Sequence, residues 1–265
     1  MAVKISGTRE WSVASVNCVT GCENDCRYCY ARHEALTRYG GRIKSAAEWP
    51  EVVIREHDVK KGRKKIEGGM IMFPTTHDIT PKTLDACITV LGKLLKAGNE
   101  VLIVSKPRAG CIKSLCDALY QYQSQILFRF TIGSYNDGIL RYWDRNAPLW
   151  DERAESLHYA FQKGFKTSVS CEPNLDGPNV VFLFHKLEPW VTDSIWIGKM
   201  NKIRERVPCE TDEDKHRIDS VEKGQTDEMI KAIYNALKDE PKVRWKESYK
   251  EVLGLDLADK AGLDK

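Results

Sequence analysis

Residues 21–35 read GCENDCRYCYARHEA, with Cys22, Cys26 and Cys29 spaced C-x3-C-x2-C and a polar, helix-compatible run directly behind them. Three thiolates in so short a stretch suit a metal centre. Structural metals such as zinc, however, close their shell with four ligands, whereas catalytic sites keep a position open. A loop that offers three thiolates can hold three irons of a 4Fe–4S cluster and leave the fourth without a protein ligand. The surrounding chain decides what such a loop is attached to.

Upstream, residues 11–17 read as a strand, and downstream residues 31–39 read as a helix stopped by Gly40 and Gly41. The cysteines thus occupy the loop that leaves a first strand. Residues 69–74 (GMIMFP) form a second, buried-strand run. Thr80 then caps a helix with Pro81 at its first position, and Leu84, Cys87, Ile88, Leu91, Leu94 and Leu95 repeat at helical spacing up to Gly98. Residues 101–105 (VLIVS), 127–133, 166–171 and 193–198 continue the strands. Helical patterns lie between them at Ile112 to Leu119, residues 151–163 and residues 180–187. Alternating strands and helices imply a parallel sheet with helical crossovers. Six strand-helix units fall short of the eight that close a full barrel, so the expected fold is α/β, a partial (β/α)6 barrel. Residues 1–200 form that core, and residues 201–265, with one amphipathic helix over 227–237, form a helical and irregular C-terminal extension that covers it.

Composition agrees with one sizeable core: 265 residues, 42% apolar and 30% charged. There is no run of 18 apolar residues and no signal-like start, so a soluble, cytoplasmic protein is expected. Nine cysteines in a chain of this size are metal ligands, catalytic thiols or buried apolar groups rather than staples. A net charge of +3 does not by itself argue for nucleic acid. The basic run at residues 60–65 (KKGRKK) enters the second strand from the face opposite the site and reads as a solvated linker.

In parallel α/β sheets ligands sit beyond the carboxyl ends of the strands. The cysteine spacing, with an aromatic residue before the last cysteine, resembles the motif of the radical S-adenosylmethionine (SAM) enzymes. GCENDCRYCYAR, IMFPTTHD, VSKPR and FTIGS together look most like the branch related to spore photoproduct lyase. That resemblance implies a 4Fe-4S cluster on Cys22, Cys26 and Cys29 with SAM on its open iron, and reductive cleavage to a 5′-deoxyadenosyl radical that abstracts hydrogen from a substrate. It implies an external electron donor of the flavodoxin or ferredoxin type. It also places the Tyr28 backbone at the adenine, Ser134 at the ribose and Lys106 at the SAM carboxylate. Where the family has Gly-Gly-Glu this chain has Thr75, Thr76, His77 and Asp78, which makes Thr76 the candidate at that strand end.

The remaining candidates are weighed residue by residue. Cys18 stands four positions before Cys22 and would complete a zinc site, the alternative being a zinc-stabilised nucleic-acid-binding module. Cys87 and Cys116 fall on core faces of helices, and Cys111 opens one. Cys171 ends the fifth strand, either as a buried small residue or as a thiol at the barrel mouth that returns hydrogen to a substrate radical. Glu172 beside it would hydrogen-bond SAM or cap the next helix, and His33 and His77 would support the site. Arg141, Arg145, Trp143 and Trp150 belong to a long loop that serves as lid or outer core. Lys106, Arg108, Lys199, Lys202, Arg204 and Arg206, with Tyr135, Trp143 and Trp150 nearby, would receive a nucleic acid or nucleotide substrate.

Overall fold

A computed structural model of the chain describes residues 5–38 and 43–262. Seven parallel strands run through it in one sheet: β1 (Ala14–Ser15), β4 (Ile71–Phe73), β5 (Val101–Ser105), β6 (Ile126–Thr131), β7 (Lys166–Cys171), β8 (Ile195–Ile197) and β9 (Val243–Trp245). Spatial order follows chain order. A separate antiparallel pair, β2 (Val19–Thr20) with β3 (Val53–Ile54), carries the segment after β1. The helices are α1 (Tyr30–Thr37), α2 (Glu56–Lys60), α3 (Leu84–Lys96), α4 (Ala109–Ala118), α5 (Asp137–Trp143), α6 (Trp150–Gln162), α7 (Val180–Leu187), α8 (Ile203–Arg206), α9 (Asp212–Gly224), α10 (Asp227–Leu237) and α11 (Glu247–Leu253). The open parallel sheet with helical crossovers is the expected partial barrel.

Three details differ from the sequence reading. The sheet has a seventh strand, because residues 201–265 contribute β9, which pairs in parallel with β8 (Ile197 opposite Trp245). A three-residue strand inside KVRWKESYKEVLG carries too little periodicity to be separated from the charged run around it. The first strand is short, Ala14–Ser15 pairing with Ile71 and Met72, because the chain turns aside to form β2. Helix α3 begins at Leu84 rather than at Pro81, since Thr80 and Thr83 close a turn on each other, the Thr80 amide donating to Thr83 Oγ1 at 3.0 Å. Tyr39, Gly40 and Gly41, the expected end of the first helix, lie outside the described residues; the described helix is Tyr30–Thr37.

The core follows from strand alternation. On β5, Val101 and Ile103 face the helices while Leu102 and Val104 face the inside of the curved sheet, so the whole run is apolar. Helix α3 buries Cys87, Val90, Leu91, Leu94 and Leu95 against the outer face, each large side chain contributing about 2 kcal/mol. Inside the barrel, Trp11, Met72, Leu102, Val104, Leu127 and Trp196 form their own cluster. Arg129 is held between Trp11 (4.6 Å) and Trp196 (5.2 Å) and donates to Ser168 at 2.9 Å, which fills the barrel below the site. Among the described residues no helix is long and apolar enough to cross a membrane.

Candidate functional site

A cavity of about 980 Å³ opens at the carboxyl ends of the strands, and Cys22, Cys26 and Cys29 all line it. The loop that carries them starts at Gly21, whose φ is +86° and whose added Cβ would stand 2.6 Å from the Trp49 carbonyl oxygen, so only glycine passes there. The Cys22 amide donates to that same carbonyl at 2.8 Å. Cys29 then caps α1, its sulfur accepting from the Arg32 amide at 3.4 Å. Burial pushes all three thiols up.

Charged groups fix the loop at nearly every residue. Asp25 bridges Arg32 (2.5 Å) and Arg145 (2.6 Å), which gives the long loop after β6 a clamping role. Arg27 pairs with Asp214 at 2.8 Å. The Tyr28 hydroxyl donates to Asp144 at 2.5 Å, and Asp144 pairs with the fully buried Arg153 at 2.8 Å. Asn24 donates to Asp78 at 2.8 Å and accepts from Arg108 at 2.9 Å.

The strand ends supply the opposing groups. Lys106 lines the cavity, with its ammonium 4.0 Å from Asp78 and 5.5 Å from the Tyr28 ring. Burial opposes the charge on Asp78. The Lys106 ammonium, its backbone amide at 2.7 Å, and the Asn24 and Ser105 donors nevertheless hold this carboxyl below the usual range. Thr75 and Thr76 also line the cavity. Their amides both donate to Asn17 Oδ1, at 2.7 and 3.0 Å, so an asparagine from the segment after β1 fixes the strand end where the resembling family has Gly-Gly-Glu. The Tyr30 hydroxyl donates to the Thr75 carbonyl. His77 lines the cavity and accepts from the Cys18 amide at 3.4 Å, a supporting position; His33, on α1, is not part of the lining.

Other candidates fall elsewhere. Cys18 is fully buried in the main core, where its thiol meets Cys87 and His77, and it does not line the cavity. Cys171 is also fully buried in the helix-facing core, where burial pushes its thiol up to about 12. The expectation of a thiol at the mouth fails because strand alternation turns Ser170, not Cys171, into the cavity. Ser134 is buried too, its hydroxyl donating to Asp176 at 2.9 Å and accepting from the Asn136 amide at 2.9 Å, a turn role rather than a ribose contact. Glu172 does line the cavity, but it pairs with Lys246 at 3.5 Å instead of capping the next helix.

Of the expected cations, Lys106, Lys199, Lys202 and Arg206 line the cavity. Arg204 is drawn away by Glu222 and Asp219, and Arg108 by Asn24 and the Asn146 carbonyl. Tyr135 and Trp150 pack against each other, and Trp143 is buried beside Tyr28. Beside Tyr28, the aromatic walls are instead Trp11, Tyr30 and Trp49. Sequence reading missed these, along with Glu247, which follows the seventh strand; the buried Lys246 before it stands behind the lining and pairs with Glu172, which does line the cavity.

The fit to an iron-sulfur cluster rests on donor chemistry: three thiols on one cavity wall at strand carboxyl ends. Among the described residues no three His, Cys, Asp or Glu side chains form a ready single-ion site.

No family model matches this sequence. No curated protein matches it either. Solved structures do. Spore photoproduct lyase complexed with dinucleoside spore photoproduct is 13% identical, with a TM-score of 0.55 over 90% of this chain and 79% of that one. A double mutant of spore photoproduct lyase with bound AdoMet and dinucleoside spore photoproduct is 14% identical, with a TM-score of 0.52 over 87% and 75%. Streptococcus suis SuiB bound to S-adenosylmethionine is 12% identical, with a TM-score of 0.55 over 94% of this chain but only 54% of its own. This chain therefore spans about half the length of SuiB. At these identities the likeness is one of fold, and the fold is the one the cysteine loop led us to expect.

Proposed function

We propose that this protein is a radical SAM enzyme, with a 4Fe–4S cluster on Cys22, Cys26 and Cys29 and SAM bound beside it. The observation that carries the reading is the convergence of the three-thiol loop, Lys106 and the Asn17-braced Thr75–Thr76 strand end on one cavity. When bound, the cluster and SAM supply an electron and a sulfonium whose cleavage gives a 5′-deoxyadenosyl radical. The chain's own residues bind and orient. Lys106 offers its ammonium to the SAM carboxylate. The Thr76 segment offers backbone oxygens near the amine, and Ser170 and Thr131 form part of the inner wall. The buried Trp11, Met72 and Val104 shield the wall from water.

A substrate with phosphate groups, a nucleic acid or nucleotide, is favoured by Lys199, Lys202 and Arg206 on the rim. Electrons come from an external donor of the flavodoxin or ferredoxin type. The cysteines outside the loop support this reading: Cys18, Cys87, Cys111, Cys116 and Cys171 are buried apart from the cavity, and Cys209 is exposed. All nine are free, which suits the reducing cytoplasm.

Anaerobic reconstitution tests the reading. The expected result is a brown protein that releases 5′-deoxyadenosine when reduced with SAM, and Cys18→Ala keeps both properties. A colourless protein with one zinc, lost on Cys18→Ala, supports the zinc-stabilised module instead. Short DNA and RNA should bind with an affinity that falls with salt, and each of Lys199→Ala, Lys202→Ala and Arg206→Ala should reduce that salt slope by about one. Binding that ignores salt removes the phosphate-bearing substrate.

A further inference from the structure

Helix α9 (Asp212–Gly224) has no counterpart in the strand-helix alternation, and its two ends grip two different loops of the cavity. At its first turn Thr211 and Asp214 cap each other: the Asp214 amide donates to Thr211 Oγ1, and the Thr211 amide donates to Asp214 Oδ2, both at 3.1 Å. That leaves Asp214 Oδ1 to reach away from the helix. It accepts from Arg27 Nη1 at 2.8 Å and from the Tyr142 hydroxyl at 2.7 Å, while the Arg27 guanidinium lies 4.2 Å from the centre of the Tyr142 ring. Arg27 stands between Cys26 and Tyr28, and its amide donates to the Trp143 carbonyl at 2.9 Å.

The other end of α9 holds the cationic loop. Gln225 accepts from the Met200 amide at 3.0 Å and donates to the Met200 carbonyl at 3.3 Å. Midway along the helix, Asp219 and Glu222 pair with Arg204. Ile218 and Val221 pack with Leu140, Trp143, Met200, Ile203 and Val207 in a small core of their own, with Tyr28 against it. The end of the helix packs backbone to backbone on the chain before α7, where a Cβ on Gly224 would stand 2.9 Å from the Gly177 Cα. Lys202, in the loop so held, adopts a left-handed backbone at φ 57°, a strained conformation that persists only where its surroundings impose it.

We infer that Asp214 is a positioning residue: through α9 it holds the three-cysteine loop and the 199–206 loop, on two sides of the cavity, as one body. The consequence rests on the function proposed above, since a cluster loop tied to the substrate loop keeps the metal centre and the substrate in register. The joint itself is a property of the chain and is measurable without metal.

The test has two arms. In the first, amide exchange is followed on the metal-free protein for wild type, Thr211→Ala and Asp214→Ala. Thr211→Ala removes the cap alone and should speed exchange only in the first turn of α9. Asp214→Ala should in addition speed exchange about fivefold in residues 22–29 and 199–206, the mark of local opening rather than global unfolding. Identical patterns in the two variants would overturn the inference. In the second arm, the reconstituted and reduced protein is titrated with SAM while its electron paramagnetic resonance spectrum is recorded. Asp214→Ala should keep its iron content yet need about fivefold more SAM for the same spectral change, and Asp214→Glu should restore most of it. An unchanged titration would overturn the consequence for the site. A wild-type protein that takes up no cluster would end the proposed function instead, and the exchange comparison would still decide the joint.

Discussion

The two walls of the cavity are built on opposite electrostatic plans. On the cysteine wall, charges are matched with partners of opposite sign: Asp25 with Arg32 and Arg145, Arg27 with Asp214, Asp144 with Arg153, and Asp78 with Lys106. Behind the part of the wall that carries Glu172 and Glu247, one buried ammonium, Lys246, meets three carboxylates: Glu10, Glu172 at 3.5 Å and Glu247 at 3.6 Å. It also stands 4.1 Å from the Trp11 ring centre. Paired charges satisfy one another. An unmatched group balances itself by holding a proton, and burial together with the hydrogen bond to Glu247 pushes Glu10 up to about 9. One side is therefore built of complementary pairs, and the other is backed by a carboxyl group that holds a proton.

The sharpest break would come on the cysteine wall. Cys26→Ala should abolish both cluster uptake and 5′-deoxyadenosine release, read by iron analysis and chromatography, while the circular dichroism spectrum stays that of a folded barrel. If iron uptake survives, the wall is not a metal site.

Next comes the matched pair beneath it. Asp144→Ala leaves the Arg153 guanidinium buried without its partner and should cost about 3–5 kcal/mol in denaturant unfolding. A loss below about 1 kcal/mol would place this pair with the inconsequential surface bridges.

The carboxylate cluster around Lys246 should reveal itself through pH. Glu10 binds its proton up to about 9 in the folded protein but only to the ordinary carboxyl value when unfolded. Between those values the native state holds the extra proton, so stability is full below the lower value and falls as pH rises toward the upper one. Glu10→Gln should flatten a slope on the order of 1 kcal/mol per pH unit between about pH 5 and pH 8. An unaltered slope would mean that the proton lies elsewhere.

The smallest effect belongs to Cys171→Ala, which removes one buried sulfur from the outer core. It should lower stability by about 1 kcal/mol and leave 5′-deoxyadenosine release intact. A large drop in that release with unchanged stability would return the thiol to the chemistry.

Much of the site was legible. The cysteine spacing, the position of Lys106 just past VLIVS and the Thr75–Thr76 strand end are local features, and all of them line the cavity. Cys171 and Ser134 were misplaced because a strand end fixes a residue's level in the barrel but not its face; one residue of register turns a side chain from cavity to core. Lys246, Glu247 and Asp214 were missed because each acts across a distance that sequence does not display: Asp214 meets a loop 187 positions earlier, and the Glu247 amide donates to a carboxylate 237 positions earlier.

The sequence by itself determined the alternation of strands and helices, the outer core, and a thiol loop at a strand's carboxyl end, because these follow from periodicity and from neighbours a few residues apart. Tertiary structure alone decided that the charged C-terminal run supplies a seventh strand, that its buried lysine faces three carboxylates, and that α9 meets the three-cysteine loop through Asp214 and Arg27. Burial and charge pairing depend on what the fold brings together, and in this chain the partners come from its two ends.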